Sequence, residues 1–271
     1  MAEISVRRLS RPEEFMEAVE VQKKAWRMDD YKEVAPAHLL RGLADNGGLV
    51  LGAFVEDRMV GVSYGWPAGS YFYSHATGVD EEYKYRGIGF NLKIGQRREV
   101  LGMGFDLVKW TFDPLQSLNS RFNLNKLGVI AREYYVNYYG EITDPINRGL
   151  GSDRVKAEWY LTSGRVLKAI NGMLKPELGE SYCIAVESEG ARPGKVKLDC
   201  SSNIILVGIP RSIDKVKQEN PSLAAQWREA TRKVYNKYIN DENYILLFNV
   251  KISERYYNIL MYKDLEDILE L

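Results

Sequence analysis

Cysteine is almost missing from this chain. Cys183 and Cys200 are the only two in 271 residues, too few for a disulfide framework or a structural zinc site. Both read as buried, inert thiols, and no metal site is expected. Net charge is missing as well, since 37 basic side chains balance 37 acidic ones. That balance argues against a surface that coats nucleic acid or an anionic membrane. It leaves room for a local pocket that holds a small polyanion. No apolar run approaches the ~18 residues of a membrane span, and the opening M-A-E-I-S-V-R-R has no signal-peptide core. The expected location is cytoplasmic. Histidine is scarce too, with only His38 and His75. What is present, 45% hydrophobic and 27% charged residues, is the make-up of a globular chain able to bury a sizeable core.

Periodicity orders the first half. Ser10-Arg11-Pro12-Glu13 has the spacing of a capping box, and Phe15, Val19, Gln22 and Trp26 recur on one helical face behind it. A shorter helix is expected over residues 36–44. Three strand-like runs follow at 49–55, 59–66 and 71–79, separated by turn residues, and read as an antiparallel meander. Residues 87–102 read as a helix with Ile88, Leu92 and Gly95 inward and Lys93, Gln96, Arg97 and Arg98 outward. A strand at 105–112, a helix at 116–126 and a strand-rich segment at 129–139 complete a β-α-α-β-β-β-α-β-α-β order. Beyond a loop around Asp144-Pro145 and Gly149, a helix is expected near 163–174. Strands follow at 182–187, 196–199 and 204–209, then a long helix behind Asn220-Pro221 and a hairpin of 244–250 with 256–262. Composition marks 188–194 as a flexible loop.

The chemistry concentrates in Lys84-Tyr85-Arg86-Gly87-Ile88-Gly89, between a strand and a helix. Two glycines there let the backbone turn tightly and approach a ligand. The free N–H groups of the first helical turn, with the positive end of the helix dipole, suit a phosphate or pyrophosphate. Lys84 and Arg86 can add charge. A dinucleotide fingerprint would place a third glycine at Leu92 and would follow the first strand of a parallel unit; neither holds. A phosphate-binding Gly-Lys-Ser/Thr is absent.

With Val79 five residues ahead of Lys84, this segment resembles the main fingerprint of the GNAT superfamily of acyl-CoA-dependent N-acyltransferases, with lysine where arginine or glutamine is usual. The run from Asn119 to Gly128, ending Lys126-Leu127-Gly128, is similar to the family's second CoA-contacting helix. Trp110-Thr111-Phe112-Asp113-Pro114-Leu115, Ser152-Asp153-Arg154, Trp227-Arg228 and Thr231-Arg232 resemble one subfamily of predicted acetyltransferases, and that likeness spans most of the chain.

The resemblance implies an α/β (α+β) fold, a GNAT-like mixed sheet with flanking helices over residues 1–145 and a smaller α+β segment over 146–271. It implies an enzyme that transfers an acetyl or succinyl group from acetyl-CoA or another acyl-CoA to a small-molecule amine by direct attack. By that likeness Val79 offers backbone groups to the pantetheine and thioester, residues 84–89 (Lys84, Tyr85, Arg86, Gly87, Ile88 and Gly89) cradle the pyrophosphate, and Asn119 reaches the pantetheine arm. A base must take the amine's proton; His75 has a suitable pKa range, and strict alternation puts it on one strand face with Thr77 and Val79. The family's tyrosine acid is expected where Leu124 stands, with Tyr134 or Tyr135 as substitutes. Asp113 reads equally as a strand terminator or as a contact to the acceptor amine. The second half reads as an acceptor pocket or a homodimer surface. A CoA-binding sensor or partner module without turnover is the alternative.

Overall fold

The computed structural model describes residues 3–28, 30–84, 86–140, 150–176, 178–179 and 181–271. The chain divides into two compact units, one of the residues up to Trp110 and one of the residues from Thr111 onward.

The first unit opens with β1 (Ile4–Arg8), α1 (Pro12–Trp26) and α2 (Ala37–Asp45). The α1 cap lies one residue later than the sequence pattern puts it. Arg11 is the N-cap, and the Glu14 carboxylate accepts the Ser10 and Arg11 backbone N–H groups at 2.9 and 3.1 Å. The meander follows as β2 (Leu49–Val55), β3 (Arg58–Ala68) and β4 (Tyr71–Val79). A turn of 3₁₀ helix (Glu81–Tyr83) leads to α3 (Ile88–Gly102), which returns the chain to β5 (Leu107–Phe112). Neighbouring strands run β1-β2-β3-β4-β5, antiparallel except for the parallel β4–β5 pair. Alternation explains the two faces. Val62, Tyr64 and Ala76 pack with Phe15, Ala18 and Val21 of α1. On the opposite face a Cβ at Gly61 would collide with Ile88 and Leu92 of α3.

The second unit holds α4 (Ser117–Arg121), a π-helical turn (Phe122–Lys126), β6 (Ile130–Tyr135), β7 (Arg154–Tyr160) and α5 (Gly164–Ile170). It continues with β8 (Cys183–Glu189), β9 (Arg192–Val196), β10 (Ile204–Ile209), α6 (Ile213–Glu219), α7 (Pro221–Tyr235), β11 (Ile245–Ile252), β12 (Arg255–Met261) and α8 (Leu265–Leu269). Its strands neighbour one another as β7-β6-β11-β12-β10-β8-β9. Strand β7 is not expected from sequence, because it is buried on both faces and so lacks alternation. Its polar Glu158 is paired with Arg132 at 2.8 Å. The segment at 188–194 is not a free loop but the β8–β9 hairpin, with Glu189 opposite Arg192.

The cysteines are also corrected. Cys183 and Cys200 are joined in a disulfide and are only half-buried. The reason is topological: β10 pairs parallel to β8 with Ile205 opposite Cys183, so the residues just before β10 run past the start of β8.

Candidate active site: a strand fork and an uncapped helix

Strands β4 and β5 pair over two positions only, Phe72 opposite Val108 and Tyr73 opposite Lys109. From Ser74 onward β4 pairs with β3 on one edge and has no ladder partner on the other among the described residues. The strands fork there, with Ser74 and Trp110 the first residues beyond the last rung. The free edge of β4 presents backbone N–H and C=O groups that a bound chain-like molecule can pair with.

At the open end of the fork stands the N-terminus of α3. Its N-cap is Gly87, at φ +83° and without a side-chain cap. That left-handed conformation costs little only for glycine, and a Cβ there would meet nothing nearer than Asn91 Nδ2 at 3.7 Å. The Asn91 amide serves the Gly87 carbonyl at 3.0 Å and leaves the N–H side open. An uncapped helix start of this kind attracts an anion. Nearby acids are already compensated. Asp80, buried at the end of β4, pairs with Arg58 at 3.2 Å and accepts the Glu82 N–H, while Glu82 also pairs with Arg58 and Glu81 pairs with Arg27.

The expected binding residues mostly gather here. Val79 ends β4 half-buried, opposite Gly61 and on the α3 face. Lys84 lies with Nζ 3.5 Å from the Ala25 carbonyl oxygen. Arg86 is exposed with its guanidinium 5.2 Å from the Tyr83 ring centroid. Ile88 is buried, anchoring the helix start, and Gly89 is half-buried. Tyr85 lies outside the described residues, as do Asp144, Pro145 and Gly149. Asn119 belongs to the second unit, exposed on α4, with its side-chain oxygen 3.2 Å from Asn123 Nδ2.

His75 does not share a face with Thr77 and Val79. The β3–β4 ladder passes from Tyr64–Ala76 to Gly65–Ser74, so His75 is the extra residue of a β-bulge. Its ring stacks on Trp66 at 5.2 Å and lies 5.5 Å from Tyr64 and 6.0 Å from Tyr73, on the α1 face. Thr77 instead bonds Ser63 at 2.8 Å, and Ser63 accepts from Gln96 of α3. His75 is exposed at the surface, and the aromatic rings beside it desolvate part of the imidazole. That burial lowers its pKa from the ordinary histidine value, which keeps the imidazole neutral and able to accept a proton.

Lys93 and Gln96 reverse their expected orientation and point inward. Lys93 is 3% exposed. Its Nζ donates to Ser74 Oγ at 2.9 Å and Gln96 Oε1 at 3.0 Å, and sits 3.8 Å from the Trp110 ring centroid. Burial without a carboxylate pushes its pKa down to about 7. The signal is present in the sequence: Lys93, Gln96 and the buried Val100 recur at i, i+3 and i+7, the spacing of one helical face.

In the second unit the motif residues form structure. Asp113 pairs with Arg228, and Asp153 pairs with Arg232 and accepts from Tyr134. Asp113 is thus committed to Arg228. Tyr134 is raised in pKa, first by burial and then by the Asp153 charge, so its hydroxyl is a poor acid. Leu124 is fully buried.

No family model and no curated protein matches the chain. Solved structures do. An N-acetyltransferase from Staphylococcus aureus Mu50 matches with a TM-score of 0.50 at 12% identity, over 59% of this chain and 100% of that one. A GNAT-family protein from Desulfovibrio desulfuricans matches at 0.46 and 16% identity, over 59% and 100% of the chains. The PaiA N-acetyltransferase from Thermoplasma acidophilum in complex with coenzyme A matches at 0.42 and 18%, over 58% and 99%. Over about three-fifths of the chain the mixed α/β fold is that of a solved N-acetyltransferase.

Proposed function

We propose that this chain is an N-acyltransferase that moves an acetyl or succinyl group from acyl-CoA to the amine of a small molecule, by direct attack of the amine on the thioester. The observation that carries this reading is the fork between β4 and β5, whose open end leads to the uncapped start of α3. The site fits the donor on its own geometry: an anion-attracting turn with room above Gly87, then a strand edge with unpaired backbone groups.

When bound, acyl-CoA supplies an activated acyl group and a thiol leaving group. The chain's part is to hold and to move protons. The N–H groups of Gly87, Ile88 and Gly89 hold the pyrophosphate, flanked by Lys84 and Arg86. The edge of β4 up to Val79 aligns the pantetheine arm and offers an N–H to the reacting carbonyl oxygen. His75, neutral near pH 7, takes the proton of the attacking amine. The rings of Tyr64, Trp66 and Tyr73 around it suit an amine carried on an apolar or aromatic body.

A CoA-binding module without turnover is favoured by one observation, the buried Leu124 where the resemblance expects a tyrosine acid. Native mass spectrometry for co-purified CoA, calorimetry with acetyl-CoA and thiol release across an amine panel separate the two. Binding with release supports transfer, and binding alone supports the module. Failure of any CoA thioester to bind at millimolar concentration sinks both.

A further inference from the structure

Among the described residues Lys93 is the only lysine that the first unit seals from solvent, and neither donor binding nor the amine's base uses it. It stands where the two strands part. The last β4–β5 rung joins Tyr73 to Lys109, and the next residue on each strand, Ser74 and Trp110, touches the Lys93 amine. As an ammonium the group has three N–H bonds. Two are aimed at Ser74 Oγ and Gln96 Oε1, and the third faces the Trp110 ring with no oxygen to accept it among the described residues. Gln96 is itself fixed by donating to Ser63 Oγ. Among the described residues the groups touching Nζ from β4, β5 and α3 are thus Ser74, Trp110 and Gln96, with Ser63 of β3 behind Gln96, and none carries a charge. Lys109 and His75, on the neighbouring strand positions, sit against Tyr71 and Trp66 instead.

Length brings a donor's sulfur to this point. Ser74 and Val79 lie opposite Gly65 and Gly61 of β3, four strand steps apart, or roughly 13 Å. An extended pantetheine arm has the bonds of about four peptide units, or about 14 Å. A pyrophosphate held at the Val79 end of β4 therefore leaves the sulfur near the apex of the fork.

We infer that Lys93 is the acid of the transfer, a catalytic residue whose ammonium gives its proton to the departing sulfur, with Ser74 and Gln96 as its positioning residues. This rests on the acyl-CoA reading above. In the step the acceptor nitrogen bonds the acyl carbon and the carbon–sulfur bond breaks. Its electron pair goes to sulfur, which takes a proton from Nζ. The proton that the acceptor nitrogen sheds to His75 passes to solvent, and solvent restores the ammonium. The products are an amide and free CoA thiol.

The test compares CoA with desulfo-CoA by calorimetry at pH 8, alongside the thiolate absorbance of bound CoA. The wild-type protein should prefer CoA by about tenfold, the equivalent of one pH unit of stabilisation of the thiolate. Its bound thiol should titrate below the ~8.5 of a free thiol. Lys93→Met and Lys93→Gln should lose the preference while binding desulfo-CoA as before, and Lys93→Arg should retain part of it. Equal binding of CoA and desulfo-CoA by the wild-type protein, with the thiol titrating at its free value, overturns the inference whether or not the variants fold. A clear preference without acylation of any amine would overturn the transfer reading and leave the sulfur contact standing. If neither compound binds, both fall.

Discussion

Asp113 and Arg228, 115 positions apart in the chain, meet as a two-pronged ion pair with Nη1 to Oδ1 at 2.9 Å and side chains only 6% and 4% exposed. Arg228 Nε also serves the Leu150 carbonyl at 3.2 Å. One helical turn further along α7, Arg232 holds Asp153 through both carboxylate oxygens at 2.9 Å. The stretches around 113, 153 and 228–232 therefore share one task, which is to tie the second unit together.

Breaking that pair from one side leaves a buried charge without a partner. Asp113→Ala and Arg228→Met should each cost about 3–5 kcal/mol. The double variant should cost clearly less than the sum. Urea denaturation of the four proteins reads this directly, and additive losses would mean that the pair is not coupled.

Lys93 gives stability a pH dependence of known sign. Its pKa is pushed down to about 7 when folded against ~10.4 when unfolded. Between these values the unfolded chain binds the extra proton, so its contribution to stability rises with pH by about 1.4 kcal/mol per unit. Below pH 7 both states are protonated and the slope vanishes. The stability difference between wild type and Lys93→Met, measured from pH 6 to pH 10, should follow that curve.

As the proposed base, His75 should set the acidic limb of activity. Desolvation by the surrounding rings favours its neutral form, so kcat/KM should rise with pH through a midpoint below the ordinary histidine value of ~6.5. His75→Gln should remove that limb and lower kcat by roughly 10²-fold or more. An unchanged profile would assign the base elsewhere.

Gly87→Ala should lower stability by about 1–2 kcal/mol, because φ +83° is unfavourable for any side chain. It should also weaken CoA, since relief of the strain turns the first N–H groups of α3 away from the phosphate. Calorimetry with CoA and a denaturation curve separate the two effects.

The Cys183–Cys200 bridge closes a short loop of 17 residues. Reduction or Cys200→Ser should cost about 3 kcal/mol. Without reductant, a thiol titration of the denatured protein should find none.

The first unit was readable because its strands and helices each bury one face and so carry a period. Leu49–Val55 and Tyr71–Val79 appear in the structure with the bounds that the pattern sets. Strand β7 escaped for the opposite reason, being buried on both sides with Glu158 hidden in an ion pair. The glycine turn was legible because a left-handed position demands glycine. Lys93 is harder to read, because a charge normally marks a solvent-facing position and only its spacing from Gln96 and Val100 speaks for burial. The bulge at His75 could not be seen either: it depends on which residues of β3 lie opposite, and a single strand does not hold that information.

That bulge has a consequence for how the site came to be held. On either side of His75 the partners across β3 are those of a strand lacking it: Ser74 opposite Gly65, then Ala76 opposite Tyr64. Excising the one residue would leave every other side chain on its present face. The sheet gives up a regular rung to keep the histidine, whose ring packs only on its aromatic neighbours. A protein with His75 deleted should therefore keep the register of the sheet and lose the proposed base.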